Sequence, residues 1–292
     1  MTKLTTEQID TFQRDGVVHL KKTIDDALIE RITAAVESLI DHPSKHGANV
    51  TPEGRRGMFF QDRHLFPTYP EFRALLHEVP FAKIAAQAMH SKEIRAFYEQ
   101  VFIKDPGTQE NFVWHQDRPY WYVDGGQICS TWLSLSSATA DSSALEFVTG
   151  SHRWDVTYRP EFPGLEGKSP EELEKILWPG LKDYLATFED ECPQFEAEPD
   201  KYTIVSFAVE PGDVLLFDYR IVHRSGPNNG TTRRAAISWR WLGDDAVWAP
   251  KFGADPLIKA TEIDLAANQP PVHEVFFPLI EPETDMNAAA ET

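Results

Sequence analysis

His115 and Asp117 stand two residues apart in the stretch Phe112-Val113-Trp114-His115-Gln116-Asp117-Arg118-Pro119-Tyr120-Trp121. In an extended chain, residues i and i+2 point to the same face, so a neutral imidazole and a carboxylate there can converge on one point. A lone His-x-Asp is more often a hydrogen-bonded loop pair than a metal site, and two ligands hold a metal poorly. The candidate for a third ligand is His223, in Phe217-Asp218-Tyr219-Arg220-Ile221-Val222-His223-Arg224-Ser225-Gly226. Two histidines and one carboxylate on one side of a metal leave three positions open, the arrangement of non-haem Fe(II) oxygenases. The two histidines lie 108 residues apart, a separation suited to opposite strands of a closed sheet and unlike a zinc finger.

Iron in such a site needs an electron-rich co-substrate before O2 can be reduced. A 2-oxo acid serves by chelating through its C1 carboxylate and keto oxygen, and its far carboxylate then requires a cation. Arg234 lies eleven residues beyond His223 and opens the next strand; its planar fork suits a carboxylate. Arg233 should point the other way from Arg234.

The elements that must hold these residues follow from the hydrophobic pattern. Thr5-Thr6-Glu7-Gln8 reads as a capping box for a short helix that Gly16 ends. Asp25 or Asp26 opens a longer helix, stopped at His42-Pro43, whose apolar residues keep helical spacing. Ser44 to Gly57 is loop. Phe59 to His64 reads as a strand leading into two short helices near 71–77 and 81–89, in preference to a substrate-facing edge. From Ile94 the period becomes alternating: Tyr98, Gln100 and Phe102 share one face, and further strands are predicted at 127–135, 144–148, 202–207, 214–217 and 234–241. The Pro- and acid-rich stretch at about 160–200, with one helix near Glu171 to Leu177, reads as an insertion over the mouth of the sheet structure.

Many short strands with Gly/Pro turns predict a mainly β fold with flanking α-helices: a jelly-roll barrel with N-terminal helices. One oxygenase domain is expected over 1–292. It divides into a helical scaffold and lid loop at 1–93, a jelly-roll core at 94–242, and a C-terminal extension at 243–292 whose Ala-rich end frays.

The 292 residues carry 46 acidic against 28 basic side chains, a net charge of −18. Such a field repels nucleic acid and anionic membranes, so neither is expected as a partner, and solubility is the plainer reading of the acidity. Two cysteines, Cys129 and Cys192, offer neither a disulfide framework nor a zinc cluster. With no signal-like N-terminus and no apolar run of spanning length, a cytoplasmic location is expected. Oligomeric state is not legible.

Five motifs in order resemble the phytanoyl-CoA dioxygenase family: Trp114-His115-Gln116-Asp117, Gly150-Ser151-His152, Pro211-Gly212-Asp213-Val214-Leu215-Leu216-Phe217, His223-Arg224-Ser225-Gly226-Pro227-Asn228, and Arg234-Ala235. The likeness runs from about Tyr98 to Trp241. It implies a double-stranded β-helix (jelly-roll, cupin-like) fold, Fe(II), O2 and 2-oxoglutarate as co-substrate, with His115, Asp117 and His223 on the metal and Arg234 on the distal carboxylate. It also implies oxidative decarboxylation to succinate coupled to hydroxylation, or other oxidation, of an unactivated C–H bond in a small, largely apolar metabolite. Where the family often carries Asn-Gly, this chain has Asp141-Ser142-Ser143-Ala144. Asp117 stands where halogenating relatives carry a small residue, which favours hydroxylation.

Gln100 and Thr131 are expected to point inward and hydrogen-bond 2-oxoglutarate; ordinary satisfaction of a barrel interior weighs about equally. Tyr98, Arg118, Tyr120 and Trp121 are candidates for the substrate pocket, although aromatics are also normal core fillers. His152 is rejected as a fourth ligand because it would block a position that O2 or co-substrate needs. The competing reading is a jelly-roll metal protein with isomerase or hydrolase chemistry and no use for O2; Arg234 discriminates, since such a protein needs no 2-oxo acid anchor.

Overall fold

The computed structural model describes residues 3–162, 164–165, 167–251 and 263–280; the Ala-rich end after Glu281 lies outside the described residues. Helix α1 (Thr6–Asp15) opens as its capping box predicts. The Thr5 hydroxyl accepts the Gln8 N–H, the Gln8 side chain accepts the Thr5 N–H, and Gly16 closes the helix at φ 82°. A side chain at Gly16 would be strained at that φ and its Cβ would stand 2.4 Å from His152 Nδ1. Asp25 caps α2 (Asp26–Asp41), which ends at His42. Helices α3 (Pro70–Glu78) and α4 (Phe81–Met89) follow, and α5 (Pro170–Ile176) and α6 (Leu181–Leu185) lie in the insertion.

Strands β1 (Val17–Leu20), β2 (Ala48–Asn49), β3 (Phe59–Arg63), β4 (Arg95–Lys104), β7 (Ile128–Ser134), β10 (Val214–Asp218) and β12 (Arg234–Leu242) form an antiparallel sheet in the order β1-β10-β7-β12-β4-β3-β2. A smaller sheet runs β5-β11-β8-β9, from β5 (Phe112–His115), β8 (Leu145–Val148), β9 (Ile204–Ser206) and β11 (His223–Ser225). A ribbon joins β6 (Val123–Asp124) to β13 (Val247–Trp248). The two larger sheets face each other through Trp132, Leu215, Phe217 and Ala236 on one side and Leu145 and Phe147 on the other. This is the double-stranded β-helix.

The alternation of β12 decides what each residue can do. Ala235, Ile237, Trp239 and Trp241 join the core under the N-terminal helices. Arg234, Ser238 and Arg240, of the opposite parity, face inward onto one cavity. All nine residues of β12 are buried, as expected of a strand covered on both faces. No helix among the described residues is long and apolar enough to cross a membrane.

On the helix-covered face, the Glu99 carboxylate accepts the N–H groups of Leu65 and Phe66 through Oε1, while its Oε2 is buried without a hydrogen bond. Burial pushes this carboxyl up to about 7, against a value near 4.5 in the unfolded chain. A carboxyl raised on folding contributes stability below its unfolded pKa and loses it as pH rises through the folded one. Wild-type stability is therefore expected to fall between pH 5 and pH 8, with roughly 3 kcal/mol as the ceiling for this group. Urea midpoints measured across that range should show the decline, and Glu99→Gln should flatten it; an identical slope in both proteins contradicts the assignment.

Candidate active site

His115 and His223 are direct cross-strand partners in the pairing of β5 with β11, and their ring centroids lie 4.2 Å apart. Asp117 stands just beyond β5, where the backbone has already turned into the right-handed helical region at φ −72°, ψ −30°. Two bonds hold that turn, from the Asp117 and Arg118 N–H groups to Tyr219 O at 3.0 and 3.2 Å. Gln116 points away from the site and ties it down: Oε1 accepts the Tyr158 N–H at 3.0 Å, and Nε2 donates to Arg220 O at 2.9 Å. One ligand atom from each of His115, Asp117 and His223 falls within 4.8 Å of the others.

The tautomers suit coordination. His115 Nδ1 lies 2.7 Å from Val113 O, and His223 Nδ1 lies 3.0 Å from Ile221 O. A carbonyl can only accept, so each Nδ1 carries the proton and each Nε2 presents a lone pair. Burial, with the neighbouring His223 second, pushes the His115 imidazole down to about 4, and burial pushes His223 down to about 4. Both rings are neutral at pH 7, the form a metal requires.

Two cavities meet at this triad. Gln100, Phe112, His115 and Asp117 line both. The inner one, of ≈ 60 Å³, runs back between the sheets to Ser225 and Arg234. Arg234 is buried, with its guanidinium 5.5 Å over the Trp132 ring. Its Nε donates to Ser143 O at 3.0 Å and one Nη to Ser143 Oγ at 3.2 Å, while Nη1 is buried with no partner. Ser143 has φ 72°, a left-handed conformation at the place where the family often has Asn-Gly, and its hydroxyl and carbonyl orient the arginine. Arg233 turns outward to Asp105 at 2.7 Å. Ser238 Oγ and Arg240 Nε are further buried polar atoms without a partner on the inner cavity. Three unsatisfied donors facing one small space, with two aimed lone pairs and a carboxylate at its mouth, fit a metal chelated by a small dianion.

The outer cavity, of ≈ 490 Å³, opens above the triad. Tyr98, Tyr120 and Trp121 form one wall, and the insertion lies across it with Phe162, Leu165, Leu177 and Trp178. Aromatic contacts link wall and cover: Tyr120 meets Phe162 edge-on at 5.8 Å, and Phe162 meets Trp178 at 5.6 Å. Hydroxyls reinforce the link, Tyr120 donating to Glu161 O and Tyr184 to Pro119 O. The opposite wall includes Ala48 of β2 and Val50 just beyond it, together with Gln61 and Arg63 of β3.

The expected site residues divide accordingly. The structure brings together His115, Asp117, His223, Arg234, Gln100, Tyr98, Tyr120 and Trp121. Gln100 accepts from Arg240 and donates to Gln61, both at 2.9 Å. Thr131 is a correction: it faces the helices and accepts the Trp241 indole N–H at 2.9 Å. The phase of β7 instead turns Trp132 to the inner cavity. Arg118 is a second correction, since its guanidinium pairs with Asp124 at 3.0 Å and does not line the cleft. The reading of Phe59 to His64 as a mere lead-in is a third, because Gln61 and Arg63 line the outer cavity. His152 stays structural, with Nε2 3.1 Å from Gln13 O.

The sequence profile of the family described as phytanoyl-CoA dioxygenase matches residues 12–236. The chain belongs to that family. It is an Fe(II)/2-oxoglutarate-dependent dioxygenase. It is 24% identical over 263 residues to an ectoine dioxygenase of Bordetella bronchiseptica, covering 87% of this chain and 80% of that protein. Its fold is similar to that of the non-heme alpha ketoglutarate dependent carbocyclase SnoK from nogalamycin biosynthesis, with TM-score 0.70, 18% identity, and 95% and 96% of the two chains covered. It is also similar to the epimerase SnoN solved with Fe3+, alpha ketoglutarate and nogalamycin RO, with TM-score 0.70, 17% identity, and 94% and 97% covered.

Proposed function

We propose that this family member hydroxylates an unactivated C–H bond of a small, largely apolar, ring-bearing metabolite in the cytoplasm, with His115, Asp117 and His223 as the iron ligands. The observation that carries this reading is the neck between the two cavities: the triad separates a small cationic pocket from a larger aromatic cleft. When bound, Fe(II) with 2-oxoglutarate and O2 supplies the oxidising power, the co-substrate being converted to succinate and CO2 as the substrate is hydroxylated.

The chain's own residues do the rest. Val113 O and Ile221 O fix the imidazole tautomers, and Arg234 takes the distal carboxylate of 2-oxoglutarate with the fork that Ser143 orients. Gln100 lies beside the triad and can meet the co-substrate or the substrate. Tyr98, Tyr120 and Trp121 set the shape of the substrate site. Phe162 and Trp178 cover it and exclude water from the oxidising centre. Asp117 completes a three-residue ligand set and leaves no vacancy for halide, which supports hydroxylation. The alternative without O2 has no use for a buried, forward-facing Arg234.

A metabolite screen for stimulated succinate release tests the proposal. A ring-bearing hit whose hydroxylated product appears with succinate is the expected result; tight coupling to a charged, acyclic compound contradicts it. With a substrate in hand, Trp178→Ala and Phe162→Ala are expected to raise its KM about tenfold or more through lost aromatic burial, while the Kd of 2-oxoglutarate stays unchanged. A shift in the 2-oxoglutarate constant instead would place these rings elsewhere in the mechanism.

A further inference from the structure

Lys104 ends β4 directly opposite Arg234 in the antiparallel pairing with β12, so both side chains enter the space between the sheets on the same side. Its side chain is completely buried, at 0% exposure. Among the described residues neither Lys104 nor Arg234 has a carboxylate within ion-pair distance. Burial first, and the neighbouring Arg234 second, push the Lys104 ammonium well below its ordinary range, and Glu110, whose own carboxylate oxygens are buried without a hydrogen bond, acts against them. Two buried cations side by side with no paired anion are costly in a protein interior unless an anion joins them.

The contacts of Lys104 show where its charge is directed. Nζ donates to Gly226 O at 2.8 Å and to Ser225 Oγ at 3.2 Å, and it lies 4.7 Å over the Phe59 ring. Ser225 lines the inner cavity with Arg234, whereas Lys104 stands behind it. A hydroxyl oxygen that accepts from an ammonium has its own proton left to donate, and the cavity is where that proton can go. A donor polarised by a cation makes a stronger bond to an anion than a free serine would.

The geometry points to Lys104 as a positioning residue for the co-substrate: through Ser225 it directs a polarised O–H to the distal carboxylate that Arg234 grips. This rests on the reading of the inner cavity as the 2-oxoglutarate site. Lys104 touches neither metal nor co-substrate, so it acts only through Ser225.

The test compares two ligands in anaerobic, Fe(II)-loaded protein by calorimetry. 2-Oxoglutarate carries the distal carboxylate; 2-oxobutyrate keeps the chelating end and lacks it. Lys104→Met is expected to weaken 2-oxoglutarate about tenfold, the loss of one charge-assisted contact, and to leave 2-oxobutyrate within twofold. Ser225→Ala should give the same selective loss, and the double variant should be no weaker than either single one, because both changes break one relay. Should Lys104→Met fail to fold, Lys104→Gln, which keeps the length and loses the ammonium, is expected to show the selective loss, and equal binding of 2-oxoglutarate to it and to wild type overturns the inference. Equal losses for both ligands, or additive losses in the double variant, overturn the inference and leave the co-substrate site standing. Wild-type protein that binds neither ligand overturns both.

Discussion

Replacing Asp117 with Ala, or either His115 or His223 with Ala, is expected to abolish iron retention and 2-oxoglutarate turnover together. Losing only a hydrogen-bond partner of a ligand already costs ~10–100-fold in affinity or activity; removing the ligand itself goes further, because two donors remain where three must face one ion. The site has no substitute at hand. Among the described residues, the group of metal-ligating side chains that converges is His115, Asp117 and His223, and His152 is committed to Gln13 O near α1. Since all three side chains are buried or nearly so, folding is checked separately by thermal unfolding of the iron-free proteins. Metal content at wild-type levels in Asp117→Ala would contradict the assignment.

Arg234 is expected to show the second large effect, of a different kind. Arg234→Met removes two charge-assisted hydrogen bonds and the charge, a loss of about 3 kcal/mol, or about 10²-fold in 2-oxoglutarate affinity. Iron binding should survive, because Arg234 lies at the far end of the inner cavity. Arg234→Lys keeps a charge but loses the fork, and the bonds to Ser143 with it, so it should recover only part of the affinity. Burial holds the Arg234 guanidinium down, to about 9, still protonated at pH 7; a bound carboxylate restores the ordinary preference for the charged form. An unchanged 2-oxoglutarate Kd in Arg234→Met would show that the co-substrate binds in another orientation.

The amino-acid pattern makes the long elements and the convergence of His115, Asp117 and His223 legible for physical reasons. Thr5, Gln8 and Gly16 carry local capping chemistry that needs no tertiary information, and α1 begins and ends on them. The i, i+2 pair and the distant histidine name a coordination chemistry by type alone. Strand phase was harder. Every residue of β7 from Ile128 to Ser134 is buried, so no polar face marks which side looks inward. Thr131 invited an inward reading that Trp132 in fact satisfies. In β4 the alternation alone sets Gln100 on one face with Tyr98 and Phe102, and all three line the cavities. Arg118 follows the ligand motif immediately, yet a turn of 3-10 helix carries its guanidinium to Asp124. Gln61 and Arg63 reach the outer cavity through the pairing of β3 with β4, and Lys104 reaches Ser225 from the end of β4, contacts between distant segments that no local pattern marks. Arg240 left one signal: an arginine six residues from Arg234 on a strand keeps the same parity and the same face.

The most direct measurement of the central claim is an anaerobic titration of 2-oxoglutarate into iron-loaded wild-type protein beside His115→Ala and Arg234→Met. Saturable binding that depends on Fe(II), is absent in His115→Ala and is weakened about 10²-fold in Arg234→Met is the predicted outcome. Binding that is indifferent to iron and to both substitutions, or no binding at all, would contradict the account.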